Sequence, residues 1–234
     1  METQKHQVIV LAAGKSTRFG SAHKHLAPIL TPGGGRRPFL ELALEFWKPW
    51  ASSWVFVLSD PWPYLELLNK LSQPFRIVLQ HQPLGIGHAL LQAQPLAEEK
   101  FIVLLGDCLF RGTFAPFQWS AVAGSAAFTL QELRQSYAVT IGVSGTVSFL
   151  EEKPIDAVAA DYMGLGAYFL DHCIFDAVRQ TAPNAKGEVG ITESLQTFIS
   201  EGLPLFVAPF EGAYLNLTWQ SDIDRCIGIL KGEQ

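Results

Sequence analysis

The sequence has little cysteine and no long apolar run. Its three cysteines, Cys108, Cys173 and Cys226, are odd in number, widely spaced and in no CxxC pair, so neither a disulfide framework nor a structural zinc site is predicted. No apolar run approaches the ~20 residues that a membrane span needs, and the first seven residues are polar rather than signal-like. We therefore expect a cytoplasmic protein that does not associate with membranes.

Positive charge is also scarce. The chain has 17 Lys and Arg against 22 Asp and Glu, a formal net charge of -5, which argues against general nucleic-acid binding because that needs a basic surface. Any phosphate ligand must then be met by a local group of residues. Apolar residues make up 48% of the 234 residues, enough to bury a substantial core, and we expect a single domain over residues 1–234.

The first half alternates two hydrophobic patterns. Short, almost wholly apolar runs at residues 8–11, 54–58, 75–79 and 101–105 are typical of strands buried on both faces. Apolar residues at helical spacing lie between them, at residues 39–47, 64–71 and 86–97. This βαβ alternation predicts an α/β fold with a Rossmann-like, open, mainly parallel sheet and helices on both faces.

The second half has closely spaced strand patterns instead. Residues 126–130, 138–143 and 147–150 are predicted strands, with a hairpin turn at Ser144 and Gly145. Helices are predicted at residues 174–180, 191–200 and 221–230, and a further strand at residues 205–208. We therefore expect an antiparallel extension of the sheet. Residues 31–38 (TPGGGRRP) are predicted to form a flexible loop.

A loop of small and basic residues follows the first strand. In VIVLAAGKSTRFG, residues 8–20, the small side chains let backbone N–H groups approach phosphate oxygens, while Lys15 and Arg18 neutralise charge. The Walker A pattern GxxxxGK(S/T) and the GxGxxG pattern are both absent, which disfavours a nicotinamide site. By itself such a turn is as often structural as phosphate-binding.

A longer stretch carries a family resemblance. LAAGKSTRFG is followed, six residues after Arg18, by Lys24 and then HLAPI, and this opening resembles that of the sugar-phosphate nucleotidylyltransferases. A lone Lys24 would be interpreted as a solvated lysine, but the paired spacing favours a site role. The resemblance implies that Arg18 and Lys24 are catalytic cations and that the nucleotide is bound by loop residues: Leu11, Ala12, Ala13, Gly14 and Lys15.

A second segment resembles the part of uridylyltransferases that recognises a pyrimidine base. It is IVLQHQPLGIGHALLQA, residues 77–93, in which Gln80 and Gly85 would face the base. A Gln amide can donate to and accept from a uracil edge, and glycine leaves backbone groups uncovered. Without the resemblance, Gln80 would simply end a strand and Gly85 would open a helix.

Two further segments imply a magnesium site. VLLGDCLF places Asp107 after a buried strand, where ligands of open α/β sheets bind, and LNLTWQSDI resembles the family segment that supplies a second metal ligand, here Asn216. Mg²⁺ prefers one or two carboxylates plus phosphates and water. The alternatives are that Asp107 starts a turn and that Ser221 or Asp222 caps a helix. His23 and His25 are interpreted as loop histidines.

The acceptor side of the resemblance is less complete. LEEKP resembles the segment whose glutamate contacts the sugar and whose lysine contacts its phosphate, here Glu152 and Lys153, and GEVGIT places Glu188 near the same pocket. However, Gly164 stands where the family's NTGxY segment has its Asn, and Ala138 follows Tyr137 where the family has Gly. These departures weaken the assignment of the acceptor as a sugar.

The resemblance implies transfer of a nucleotidyl group from a pyrimidine nucleoside triphosphate, with UTP or dTTP favoured, to a sugar 1-phosphate, with Mg²⁺ as cofactor and pyrophosphate as the leaving group. The nucleotide would bind to residues of about 1–115 and the phosphorylated acceptor to about 116–234. Two alternatives stay open: a cytidylyltransferase for phosphocholine or a polyol phosphate, and a non-catalytic nucleotide-binding regulatory protein. Relatives often associate, so a homo-oligomer is compatible with this interpretation.

Overall fold

One large sheet runs through the computed structural model, which describes residues 4–14, 16–20, 23–155 and 160–232. Ten of the strands in this part of the chain form that sheet, and two short ones form a separate hairpin. The strands are β1 (His6–Leu11), β2 (Pro28–Leu30), β3 (Arg36–Pro38), β4 (Ala51–Leu58), β5 (Phe75–Leu79), β6 (Lys100–Leu105), β7 (Cys108–Phe114), β8 (Ala121–Ser125), β9 (Tyr137–Ile141), β10 (Val147–Glu152), β11 (Tyr162–Asp171) and β12 (Phe206–Asn216).

Helices cover both faces of the sheet, as the alternating pattern predicts. They are α1 (Phe39–Glu45), α2 (Leu65–Leu68), α3 (Ile86–Ala93), α4 (Leu130–Leu133), α5 (Cys173–Gln180), α6 (Ile191–Ser200) and α7 (Asp222–Lys231). Among the described residues, no helix has the length and apolarity needed to cross a membrane.

The parallel half of the sheet has the order β5-β4-β1-β6, and every pairing within it is parallel. After β1, the chain adds β4 and β5 on one side and then returns to place β6 on the other. The carboxyl ends of β1 and β6 therefore meet at the point where the strand order reverses. Ligands of open α/β sheets bind in the crevice that opens there.

The second half extends the sheet with mostly antiparallel pairs, which confirms the expected extension. Strand β11 pairs antiparallel with β6, β8 and β9, and β12 pairs parallel with β8 and antiparallel with β7. Neither β7 nor β11 was expected from the sequence. Glycines interrupt both apolar patterns, Gly112 in β7 and Gly164 and Gly166 in β11, and a glycine inside a strand weakens its local signal.

The prediction of a strand at residues 126–130 is wrong. The strand β8 lies before this segment, and α4 begins within it because Thr129 and Glu132 form a capping box. Thr129 Oγ1 accepts from Glu132 N at 3.2 Å, and Glu132 Oε2 accepts from Thr129 N at 2.9 Å. This reciprocal pair satisfies backbone donors at a helix start.

Other element boundaries also differ from the predicted ones, and the strand predicted at residues 205–208 extends to Asn216 as β12. The helix predicted at residues 64–71 is a 3₁₀ turn at Trp62–Tyr64 followed by the single turn of α2. Helix α3 gives way to a 3₁₀ turn at Gln94–Leu96, where Pro95 cannot donate an α-helical hydrogen bond. The loop predicted at residues 31–38 ends in β3, which pairs with β2.

Alternate residues of β1 enter two different cores. Val8 and Val10 pack in the cluster that contains Trp47, which follows α1. Ile9 packs in the cluster that contains Phe175 of α5. All three β1 residues are fully buried. Each such side chain stabilises the fold by roughly 1.5–3 kcal/mol relative to an exposed one. This burial holds the carboxyl end of β1 firmly at the crevice.

Candidate active site

The loops after β1 and β6 are in direct contact. Gly106 N donates to Leu11 O at 2.9 Å, and a Cβ at Gly106 would lie 2.9 Å from Ala12 Cβ. Only glycine lets the two backbones approach this closely. Asp107, the next residue, is thereby placed beside the small-residue loop, as the sequence predicts.

The small-residue loop itself is buried at its start and open at its end. Leu11, Ala12 and Ala13 are buried, whereas Gly14 is exposed with nothing within 4 Å of where its Cβ would be. This leaves room above the backbone for a ligand. Lys15 lies outside the described residues.

A 3₁₀ turn, Thr17–Phe19, closes the loop. The turn is anchored by Phe19, which is buried in a hydrophobic cluster, and is entered through Ser16 in the left-handed region, at φ 51°. Arg18, between them, is exposed and pairs with no carboxylate in the described part of the chain. Its guanidinium is thus accessible to an anionic ligand.

Lys24 and Asp107 form an ion pair at the crevice. Lys24 Nζ lies 2.5 Å from Asp107 Oδ2, and the two side chains are only 14% and 20% exposed. Burial alone would raise the pKa of Asp107, but the Lys24 ammonium lowers it, and the net pKa lies below the ordinary value. Asp107 is therefore an ionised carboxylate.

His25 supports this pair from the protein interior. Its Nδ1 lies 3.1 Å from the hydroxyl of Tyr64, and burial lowers its pKa to about 4. His25 is consequently neutral at physiological pH and adds no positive charge next to Lys24. The interpretation of His25 as a loop residue is thus incomplete, since it packs in the interior at 3% exposure.

The pairing of β12 with β7 brings Asn216 to the same edge. Asn216 stands opposite Cys108 in the register, and Leu217 N donates to Asp107 O at 2.7 Å. Asp222 Oδ2 accepts from Thr218 N at 2.7 Å, which fixes the turn that follows. Asp107, which directly precedes β7, therefore lies beside the end of β12 that carries Asn216.

These two residues have the donor chemistry that suits Mg²⁺. A carboxylate and an amide oxygen match its preference for oxygen ligands, with substrate phosphates and water completing an octahedron. The described residues hold no group of three or more His, Cys, Asp or Glu placed to bind a metal. A metal at this edge would thus depend on oxygens supplied by the substrate.

Gln80 and Gly85 are also brought together. Gln80 is only 4% exposed, and its Nε2 donates to Gly85 O at 3.2 Å and lies 2.9 Å from His88 Nδ1. Gly85 has φ 100°, and a Cβ there would lie 2.3 Å from Val189 O. Glycine is therefore required by the fold at this position, whatever ligand it faces.

The same close approach joins the Gln80 loop to the segment that contains Glu188. Val189 N donates to Leu84 O at 2.8 Å, and Gly87 N donates to Val189 O at 2.9 Å. Glu188 precedes this link and is partly exposed. Residues expected on the nucleotide side and on the acceptor side are thus held together by backbone hydrogen bonds.

Glu152 and Lys153 end β10 as a linked pair. Glu152 Oε1 pairs with Lys153 Nζ, and Glu152 Oε2 accepts from Thr192 Oγ1 at 2.8 Å. Lys153 has a left-handed backbone, at φ 46°, and its side chain is 52% exposed. Thr192, the donor to Glu152, was not among the residues expected from the sequence, although it lies in the GEVGIT segment with Glu188.

The departure at Gly164 has a steric cause. A Cβ at Gly164 would lie 2.0 Å from the ring of Tyr137, whose hydroxyl donates to Leu165 O at 3.2 Å. The Tyr137 ring therefore fills the space that a side chain at position 164 would need. The absence of an Asn here is coupled to the packing of Tyr137.

An open α/β sheet with a small-residue loop, a basic residue and an aspartate at its switch point defines a nucleotide-binding class of α/β proteins. The family model described as nucleotidyl transferase matches residues 7–223, and the chain belongs to this family. The resemblance drawn from the motifs is thereby confirmed.

A curated relative has a comparable sequence. The bifunctional protein GlmU of Methanococcus maripaludis (strain C7) is 25% identical over 196 residues, which cover 83% of this chain. The chain spans about half the length of that relative, 47%.

Solved structures have the same fold. UDP-glucose pyrophosphorylase complexed with UDP-glucose has a TM-score of 0.80 at 22% identity, with 98% of each chain covered. The inositol-1-phosphate CTP transferase from T. maritima has a TM-score of 0.81 at 18% identity, covering 99% of this chain and 97% of the other. These likenesses establish the Rossmann-like nucleotidyltransferase fold.

Proposed function

We propose that this protein joins a pyrimidine nucleoside triphosphate, UTP or dTTP, to a sugar 1-phosphate. An oxygen of the acceptor phosphate attacks the α-phosphorus, the bond between that phosphorus and the oxygen bridging to the β-phosphate breaks, and pyrophosphate leaves. The observation that carries the proposal is the Lys24–Asp107 pair of 2.5 Å beside the small-residue loop. Family membership over residues 7–223 supports it.

The reaction requires charge neutralisation rather than a general base, because a phosphate nucleophile is already anionic at neutral pH. Lys24 would contact the α-phosphate, and exposed Arg18 would stabilise the departing pyrophosphate. Electrostatic stabilisers of this type contribute about 10²–10³ in rate each. Asp107 and Asn216 would hold Mg²⁺, which neutralises phosphate charge when bound.

The base and the acceptor would occupy the two sides of the Leu84–Val189 link. Gln80 and Gly85 would face the pyrimidine, and Glu152, Lys153 and Glu188 would face the acceptor. Lys153 suits the acceptor phosphate because an ammonium is a compact point charge. Glu152 suits a pair of sugar hydroxyls, and its bond from Thr192 fixes its orientation.

We also propose that nucleotide and phosphorylated acceptor are the protein's substrates in the cytoplasm, without nucleic acid or membrane. The net charge of -5 supports this, since it disfavours polyanionic surfaces. The two binding halves, about 1–115 and about 116–234, would act as one domain. The single sheet that crosses both supports that arrangement.

A cytidylyltransferase for phosphocholine or a polyol phosphate is the second candidate. Tyr137 fills the place of a side chain at position 164, so the acceptor pocket lacks a polar group that the motif would supply. The likeness in fold to a solved inositol-1-phosphate CTP transferase also favours this candidate.

The test is pyrophosphate release with Mg²⁺, each of the four NTPs and a panel of sugar 1-phosphates, phosphocholine and polyol phosphates. We expect turnover with UTP or dTTP and a sugar 1-phosphate, and its loss in Asp107→Asn but not in the control Asp176→Asn, which lies on α5. Turnover with CTP and a non-sugar phosphate alone would replace the proposal by the second candidate. Binding of UTP without turnover on any acceptor would identify a non-catalytic nucleotide-binding protein.

A further inference from the structure

A chain of three hydrogen bonds connects Asp107 to the strand opposite it. Tyr214, on β12, has its hydroxyl 3.0 Å from Cys108 Sγ and accepts from Gly166 N at 3.1 Å. Cys108 Sγ in turn lies 3.6 Å from Asp107 Oδ1. None of these contacts is part of the proposed chemistry, yet they end on the carboxylate at its centre.

The donors and acceptors give this chain a direction. Cys108 Sγ donates to Asp107 Oδ1, since a carboxylate accepts hydrogen bonds. The thiol sulfur then accepts from the Tyr214 hydroxyl, whose oxygen accepts from Gly166 N–H. Every donor is used once.

The surroundings leave this chain little freedom. A Cβ at Gly166 would lie 2.3 Å from Cys108 Sγ, so the thiol lies directly against the backbone of β11. Asp107 is then held at both oxygens, since Lys24 contacts Oδ2 and Cys108 contacts Oδ1. Two contacts from different elements fix the rotation of the carboxylate.

We propose that Tyr214 is a positioning residue that orients the Asp107 carboxylate through Cys108 and ties it to the backbone of β11 at Gly166. This inference rests on the proposed role of Asp107 as a metal ligand. Groups that hydrogen-bond a ligating carboxylate set its orientation, and their removal typically weakens metal affinity about 10–100-fold. Tyr214 lies two residues before Asn216. Strand β12 would therefore carry both one metal ligand, Asn216, and the residue that orients the other ligand, Asp107.

The experiment is binding of Mn²⁺ in the presence of UTP, measured by the loss of the free Mn²⁺ electron paramagnetic resonance signal. Tyr214→Phe should raise the Mn²⁺ dissociation constant about 10-fold. The matched control is Tyr137→Phe. It removes a buried hydroxyl that donates to Leu165 O, on the same strand as Gly166, and it leaves the hydrogen bonds of Cys108 in place. It should leave the constant unchanged. Equal constants in Tyr214→Phe and the wild type would overturn the proposal.

A second variant covers the case in which Tyr214→Phe does not fold, as judged by thermal unfolding. Cys108→Ala breaks the same chain next to Asp107 and should raise the Mn²⁺ dissociation constant to a similar extent; a wild-type value would overturn the proposal. Wild-type pyrophosphate release is assayed in parallel. Its absence on every acceptor overturns the proposed function, whereas unchanged Mn²⁺ affinity in an active enzyme overturns the positioning role alone.

Discussion

The ammonium nitrogen of Lys24 lies 2.5 Å from Oδ2 of Asp107, although 83 positions separate the two residues in the chain. The pair joins the segment that follows β1 to the segment that follows β6. The Lys24 ammonium is thus already paired with the carboxylate that we propose as a Mg²⁺ ligand. A metal bound there would therefore compete with Lys24 for Asp107 until a nucleotide offered its phosphates to Lys24.

Replacing Lys24 should separate these two effects. In Lys24→Met, metal alone should bind more tightly than to the wild type, because no ammonium competes for Asp107. Turnover should fall about 10²–10³-fold, because a phosphate contact is lost. Titration with Mn²⁺ without nucleotide, together with pyrophosphate release, measures both. Lys70→Met is the control, since Lys70 pairs with exposed Glu66. An unchanged affinity for metal alone would contradict the competition.

His25 should make stability depend on pH. Its pKa is about 4 in the folded protein against an ordinary value of 6.5, so between these values the unfolded chain binds more protons. The contribution of His25 to the free energy of unfolding is fully present above pH 6.5 and is lost as the pH falls toward 4. From about pH 7 to 4.5 this group removes about 2–3 kcal/mol from the free energy of unfolding.

The comparison protein for that prediction is His25→Asn, whose amide keeps a partner for Tyr64 but does not titrate. Urea unfolding at the two pH values measures the free energy for each protein. We expect the variant to lose less stability than the wild type on acidification. The same loss in both proteins would exclude His25 as its source.

Gly164 and Tyr137 should show strong energetic coupling. A Cβ at position 164 would lie 2.0 Å from the Tyr137 ring, so Gly164→Ala should destabilise the fold by about 1–3 kcal/mol. In a Tyr137→Ala background the same substitution should cost much less, because the ring is absent. Gly33→Ala is the control, as nothing lies within 4 Å of its Cβ position. Urea unfolding of the wild type, the two single variants and the double variant gives the coupling free energy. Additive effects would show that the Tyr137 ring is not what excludes a side chain at position 164.

Lys153 should act on the acceptor and not on the nucleotide. Lys153→Ala should raise the KM for the sugar 1-phosphate and leave the KM for UTP nearly unchanged, with kcat/KM for the acceptor reduced about 10²-fold. Initial rates at varied concentrations of each substrate separate the two constants. Lys48→Ala, whose lysine precedes β4 in the parallel half of the sheet, is the control. A parallel rise in both KM values would assign Lys153 to the nucleotide instead.

Much of the fold could be predicted because its signals are local. The apolar runs of β4 and β6 mark strands to within a few residues, since a strand buried on both faces needs nearly every residue apolar. Strand β11 could not be found this way. Gly164 and Gly166 interrupt its pattern, and both are glycine because of neighbours distant in sequence, Tyr137 and Cys108. A local pattern does not contain that information.

The candidate site divides in the same way. By itself, the sequence determined the small-residue loop, the basic residues that follow it, the aspartate after a buried strand and membership of the nucleotidyl transferase family, because each depends on residue types at short spacing. Only the tertiary structure decided that Lys24 pairs with Asp107, that Tyr137 excludes a side chain at Gly164 and that Tyr214 reaches Asp107 through Cys108. These relationships arise from strand pairing and close packing between segments far apart in the chain, where burial and available space select the partners.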